Sequence, residues 1–206
     1  MARTLLCQGA EAVLFIEGDV VVKERVPKRY RHPEIDRELR AFRTRREAKL
    51  LQSLTGIAPA FYGVDEHAMA LSMEYVRGTL LRDILSSPLS GHSMPLLTEV
   101  GRLVGVLHSR DIIHGDLTTS NITERAGKVL LLDFGLGFFS HKLEDKAVDV
   151  HVFRQVLESK HHAHAEHCFR LFLEGYRSWK GSSEVLARLD VVGQRGRYKQ
   201  KLPPIA

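Results

Sequence analysis

The stretch HGDLTTSN at residues 114–121, followed at 133–135 by DFG, decides how this chain is read. Asp116 stands five residues before Asn121, and Asp133 twelve residues after it. Between them NIT (121–123) and KVLLLDF (128–134) flank Ala126 and Gly127, the pattern of a short hairpin. Working outward, Leu96, Leu97, Val100, Leu103, Val104 and Leu107 lie at helical spacing within Met94–Ser109, LLRDILSS at 80–87 reads as helical too, and helices resume near Lys146 and continue to about Leu189. Toward the N-terminus the character changes. The bursts AVLFI (12–16) and VVV (20–22), separated by the turn residues EGD, predict a hairpin, and AFYGV (60–64) and AMALSMEYV (68–76) predict two more strands. One long helix is expected from Ile35 to Leu54, ended by Gly56 and Pro59. The expected organisation is α+β: a small β-rich lobe with one long helix over 1–76, a reduced, mainly helical lobe over 77–192, and a basic tail over 193–206.

A chain of 206 residues can bury a proper core, and 44% hydrophobic with 27% charged residues excludes collagen-like and disordered classes. Gln8, Glu11 and Glu17 interrupt any signal-peptide hydrophobic region, and no uncharged apolar run approaches a membrane span. Two cysteines, Cys7 and Cys168, give no disulfide framework, so a reducing compartment, cytoplasmic and also nuclear in a eukaryote, is the expectation. A formal charge of +5, concentrated in Lys23–Lys49 and at Arg195, Arg197, Lys199 and Lys201, favours an anionic partner.

Phosphoryl transfer needs little covalent help, so oxygen donors that fix a metal ion and a nucleophile supply much of its electrostatics. In the protein-kinase pattern the loop Asp, here Asp116, orients the attacking hydroxyl, while Asn121 and Asp133 hold magnesium. A polar loop before a strand ending in Asp and Gly is the plainer reading. Lys23 ends VVVK where a strand lysine would hold phosphates, and Glu47 in RREAKLL is preferred over Glu38 as its ion-pair partner, because Glu38 sits among basic residues of a solvated face. MEY at 73–75 followed by Val76 lies where the halves join; Met73 would wall an adenine pocket, and Glu74 and Val76 would lend main-chain groups. QGAEAVLF at 8–15 supplies Gln8 and Gly9 as the candidate phosphate cover but one glycine instead of three, and Glu11 there repels phosphate unless it points away or meets a cation. Only thirteen residues separate DFG from Asp149, which leaves no room for a long peptide-binding segment, and Gly115 replaces the arginine that would read a phosphorylated loop. His164, His167 and Cys168 share a helix face without an evident fourth metal ligand, and Tyr198 in RGRYKQK could stack on a nucleic-acid base.

Together these residues resemble a minimal protein kinase of the RIO-like superfamily. More narrowly QGAEA, YRHPEID (30–36), RTRREA (43–48), HGDLTTSN, DFGLGF, EDKAVD (144–149) and RGR look like the small atypical kinase of the KEOPS (EKC) complex. That resemblance implies a bilobal kinase-like fold, ATP and Mg2+ as cofactors, and Ser/Thr kinase and ATPase activity serving threonylcarbamoyladenosine synthesis in tRNA. It also implies binding to a threonylcarbamoyl-transferase subunit, a small subunit on the N-lobe, and tRNA reached by Arg195, Arg197 and Lys199. Carried over by residue, Lys23 binds phosphates, Glu47 pairs with it, Asp116 is the catalytic Asp, Asn121 and Asp133 hold magnesium, and Asp149 anchors the catalytic loop. The competing expectation is a small-molecule phosphotransferase of the aminoglycoside or choline type, since HGD occurs there also.

Overall fold

The computed structural model describes residues 3–198, with side chains through residue 193. The β-branched bursts form β2 (Ala12–Glu17) and β3 (Val20–Arg25), which pair antiparallel across the EGD turn. Preceding them is β1 (Thr4–Gln8), which makes the segment around Gly9 a strand-turn-strand; all five of its residues are exposed, so no apolar alternation marks it, and it is held by backbone pairing to β2. With β4 (Phe61–Asp65) and β5 (Ala70–Glu74) these strands make an antiparallel sheet of order β1-β2-β3-β5-β4. Helix α1 (Pro33–Ser53) starts with Pro33, whose fixed φ suits a first turn, and buries Thr44, Glu47, Ala48 and Leu51, one face at spacings of three and four.

The second half opens with β6 (Thr79–Leu80) and α2 (Leu81–Ile84). The helix expected over LLRDILSS is thus a single turn; Ser86 N–H and Oγ both bond to the Asp83 carbonyl, and Pro88 cannot continue it. Helix α3 (Ser93–Ser109) is followed by β7 (Ile112–Ile113), the hairpin β8 (Ile122–Arg125) and β9 (Lys128–Leu131), and β10 (Phe138–Phe139). The chain then closes with α4 (Leu143–Lys160), α5 (Ala165–Tyr176) and α6 (Ser182–Tyr198). Strands β6, β8 and β9 form one small sheet, β7 and β10 another. Helix α6 runs past Leu189, so the basic tail expected from residue 193 begins as helix: Val191, Val192 and Gln194 tolerate helical backbone, and Gly193 alone does not stop it.

Helices α3 and α5 approach backbone to backbone. A side chain at Gly101 would run into the Phe172 carbonyl, and one at Gly175 into that of Thr98. One buried cluster spans both halves, from Leu50, Leu51, Leu54 and Leu71 through Leu97, Val104 and Leu131 to Phe153 and Phe172. Segment 53–58 stitches them further: Leu131 N–H donates to the Ile57 carbonyl (2.8 Å), and Arg110 to that of Ser53 (3.0 Å). Among the described residues no helix is long and apolar enough to cross a membrane.

Candidate active site

The two-residue pleat of β3 puts Lys23 and Arg25 on the same face, toward α1. There the Glu47 carboxylate, 1% exposed, takes one cation on each oxygen: Lys23 Nζ at 2.7 Å and Arg25 Nη2 at 2.6 Å. Glu38 is exposed on the other side of α1. Lys23 Nζ also donates to Asp133 Oδ1 at 2.7 Å, so a residue of the sheet reaches one 110 positions later in the chain. Burial works to lower the Lys23 pKa, but Glu47 and Asp133 outweigh it and hold the ammonium above its ordinary 10.5. Partial burial likewise works to raise the Asp133 pKa, and Lys23 overrides it, keeping the carboxylate ionised below its ordinary 3.8. Asp133 sits at φ 55°, a left-handed backbone uncommon outside glycine, fixed by Lys23, by the Gly135 N–H to Oδ1 bond (3.0 Å) and by the fully buried Phe134 ring.

Asp149 of α4 organises the loop before Asp116. Its Oδ2 accepts the His114 N–H (2.7 Å) and its Oδ1 the Gly115 N–H (2.9 Å). Gly115 has φ +81°, with the Leu136 carbonyl against the position a Cβ would take; this is the physical reason an arginine does not fit there. Behind Asp149, His108 Nε2 lies 3.3 Å from Oδ2 and His108 Nδ1 lies 2.7 Å from Tyr176 Oη, a buried chain tying the loop to α3 and α5. Burial works to raise the Asp149 pKa, but the His108 hydrogen bond and charge, with His114, hold it below 3.8. Asn121 Nδ2 donates to Asp116 O (2.9 Å) and Oδ2 (2.8 Å), which fixes the Asp116 carboxylate and leaves the Asn121 amide oxygen free of that contact.

Among the described residues no group of three His, Cys, Asp or Glu side chains forms a metal cluster. The donors at hand are instead the Asp133 carboxylate and the Asn121 amide oxygen, a hard oxygen set of the kind Mg2+ takes while keeping waters and substrate phosphates. Cys168 is fully buried, its thiol pushed up by burial, so it does not join His164 and His167 as a ligand. His161, just before them at the end of α4, has another role: its Nε2 lies 3.1 Å from Thr119 Oγ1 and its Nδ1 3.3 Å from the Leu85 carbonyl, bracing the loop that carries Asn121.

A cavity of about 340 Å³ brings together Gly9, Glu11, Lys23, Arg25, Arg43, Asp116 and Asp133. Gln8, Met73, Glu74, Val76 and Asn121 lie outside its wall. Gln8 pairs with Val13 and is exposed. Met73 is partly buried against the core; the Glu74 N–H donates to the Ala60 carbonyl (2.8 Å), its side chain turns away to Arg125 (2.7 Å), and Val76 accepts from Gly78 N–H (3.1 Å). Glu11 meets cations, Arg43 at 2.6 Å and Arg31 at 3.4 Å, which resolves the alternative that the sequence leaves open. The sequence reading missed Arg25 and Arg43. The signal was present in spacing, since Arg25 is two residues beyond Lys23 on a strand and Arg43 four before Glu47 on a helix. Arg195 and Arg197 lie on α6 with side chains outside the described residues, and Lys199 lies wholly outside them.

No protein-family model matches the chain. The KEOPS complex subunit Bud32 of Pyrococcus abyssi is 38% identical, covering 96% of this chain and 97% of its own. A probable serine/threonine-protein kinase BUD32 homolog of Archaeoglobus fulgidus is 40% identical over 94% of this chain and 96% of its own. A probable bifunctional tRNA threonylcarbamoyladenosine biosynthesis protein of Methanothermobacter thermautotrophicus is 41% identical over 94% of this chain, which spans 36% of that longer protein. Among solved structures, a Rio2 kinase–ADP/Mg2+–phosphoaspartate complex from Chaetomium thermophilum superposes with TM-score 0.63 at 15% identity, over 94% of this chain and 70% of the other; it shares the fold.

Proposed function

The chain belongs to the Bud32 kinase family, and from that premise we propose that it is an ATP-dependent Ser/Thr kinase and ATPase working in a KEOPS-type assembly that supports threonylcarbamoyladenosine formation in tRNA. The observation that carries this reading is the Lys23 ammonium held 2.7 Å from Glu47 and 2.7 Å from Asp133 across the cleft, in the same cavity as Asp116. Asn121 and Asp133 would hold Mg2+, which when bound neutralises phosphate charge. Lys23, oriented by Glu47, binds the nucleotide phosphates. Asp116, steadied by Asn121, accepts a hydrogen bond from the attacking hydroxyl or water and fixes its line of approach. Asp149 keeps that loop in register. Met73 and the backbone of Glu74 and Val76, beyond the wall of that cavity, are the proposed adenine end of the site.

The proposed partners are a threonylcarbamoyl-transferase subunit, a small subunit on the N-terminal lobe, and tRNA met by the basic C-terminal residues. The relatives above include no aminoglycoside or choline phosphotransferase, so that alternative has no support from them. The test is ATP turnover of the wild type and of Asp133→Ala, with and without the transferase partner and tRNA. Turnover stimulated by partner and tRNA, and lost in the variant while the fold persists, is the expected result. Unchanged turnover in Asp133→Ala, or stimulation by a free aminoglycoside or amino alcohol instead, overturns the reading.

A further inference from the structure

The loop over the cleft has one glycine where a glycine-rich loop has three. Its Gly9 N–H is turned inward to the Ala12 carbonyl (2.9 Å), and Lys28 donates to the Ala10 carbonyl from outside. The Gly9 donor is therefore engaged within its own turn, and with one glycine in place of three the positive charge for a polyphosphate falls more heavily on side chains. Lys23 and Arg25 both lean on Glu47, all three of them buried, and Lys23 is further engaged by Asp133. Arg43 differs. Its side chain, 21% exposed, lines the cavity and pairs at 2.6 Å with Glu11, whose side chain is 40% exposed on the β1–β2 turn. Arg31, whose Nη2 reaches the other Glu11 oxygen at 3.4 Å, has Asp36 as a second carboxylate at 3.6 Å.

We propose that Arg43, assisted by Arg31, forms a phosphate subsite on α1, and that Glu11 occupies it as an internal anion until the terminal phosphates of a nucleoside triphosphate displace it. A guanidinium fork accepts carboxylate or phosphate oxygens in the same geometry, so the exchange needs no rebuilding of α1. The displaced Glu11 rotates on a surface turn toward solvent, where its charge is hydrated at little cost. This deepens, and rests on, the reading of the cleft as a nucleotide site. It also gives Glu11 a consequence for selectivity: a nucleotide without the outer phosphates has nothing to offer Arg43 in exchange.

The experiment is calorimetric binding of MgATP, MgADP and AMP to the wild type, Glu11→Gln, Arg43→Ala and the double variant, with melting temperatures to establish folding. Glu11→Gln is expected to tighten MgATP about fivefold with AMP unchanged, the size of one partly exposed ion pair. Arg43→Ala is expected to weaken MgATP about tenfold, again sparing AMP, and the double variant should match Arg43→Ala because nothing remains for Glu11 to block. Weaker MgATP binding in Glu11→Gln, an Arg43→Ala protein that melts normally and binds MgATP as the wild type does, or a Glu11→Gln gain that persists without Arg43 overturns the subsite. A wild type that binds none of the three nucleotides sinks the nucleotide-site reading itself, so the two failures are distinguishable.

Discussion

Glu47 is the side chain on which the buried charges depend, because each of its oxygens satisfies a different cation inside the protein. Replacing it by Ala leaves Lys23 and Arg25 buried without that counterion, and a loss of about 3–5 kcal/mol is expected in urea unfolding. Glu47→Gln should cost less, since an amide oxygen still accepts one of the two hydrogen bonds. His161 supplies a pH test. Burial, partly opposed by the Leu85 carbonyl, depresses its pKa below the ordinary 6.5, and a proton on Nε2 would remove the acceptor that Thr119 uses. A depressed folded-state pKa means the unfolded chain binds the proton first as pH falls. Its contribution is therefore complete above 6.5 and lost as pH drops from there through the folded value, at about 1.4 kcal/mol per unit of depression. Urea midpoints measured from pH 7.5 to 5.5 should fall in the wild type and fall less in His161→Gln.

Helix pairing decides how the catalytic loop is supported. Asp149 on α4, His108 on α3 and Tyr176 on α5 meet in one buried chain because α3 and α5 approach closely enough at Gly101 and Gly175 for side chains beyond them to touch. Gly175→Ala is expected to force these helices apart and to cost about 3 kcal/mol, at the upper end of overpacking, with unfolding midpoint as the measurement. The helix α3 was legible, since its apolar residues repeat every three to four positions; the closeness of its contact with α5 was not, because a glycine within a periodic run has many meanings. β1 could not be placed from apolar periodicity. Its residues are all exposed, and its place is set by hydrogen bonds to β2 that leave no trace in hydrophobic pattern.

Across the molecule, one core and several ion pairs join the two halves: α1 contributes Leu50, Leu51 and Leu54 to the cluster that includes Leu97 and Phe153, Lys23 reaches Asp133, Glu74 meets Arg125 and Asp19 meets Arg77. A ligand that bridges both sides should stabilise the whole protein. MgATP at a hundred times its dissociation constant is expected to add about 2.7 kcal/mol to wild-type stability, read as a rise in melting temperature, and Asp133→Asn should lose most of that gain. The sequence by itself determined the α+β class and the longer strands and helices, and it put forward Lys23, Glu47, Asp116, Asn121, Asp133 and Asp149 as a set, because periodicity and fixed motif spacing are local properties of the chain. Only the tertiary structure decided that Arg25 shares Glu47, that Glu11 is neutralised by Arg43, and that His161 braces the catalytic loop. Those pairings join residues 22, 32 and 42 positions apart, and which charges meet at such separations is fixed by how strands and helices pack.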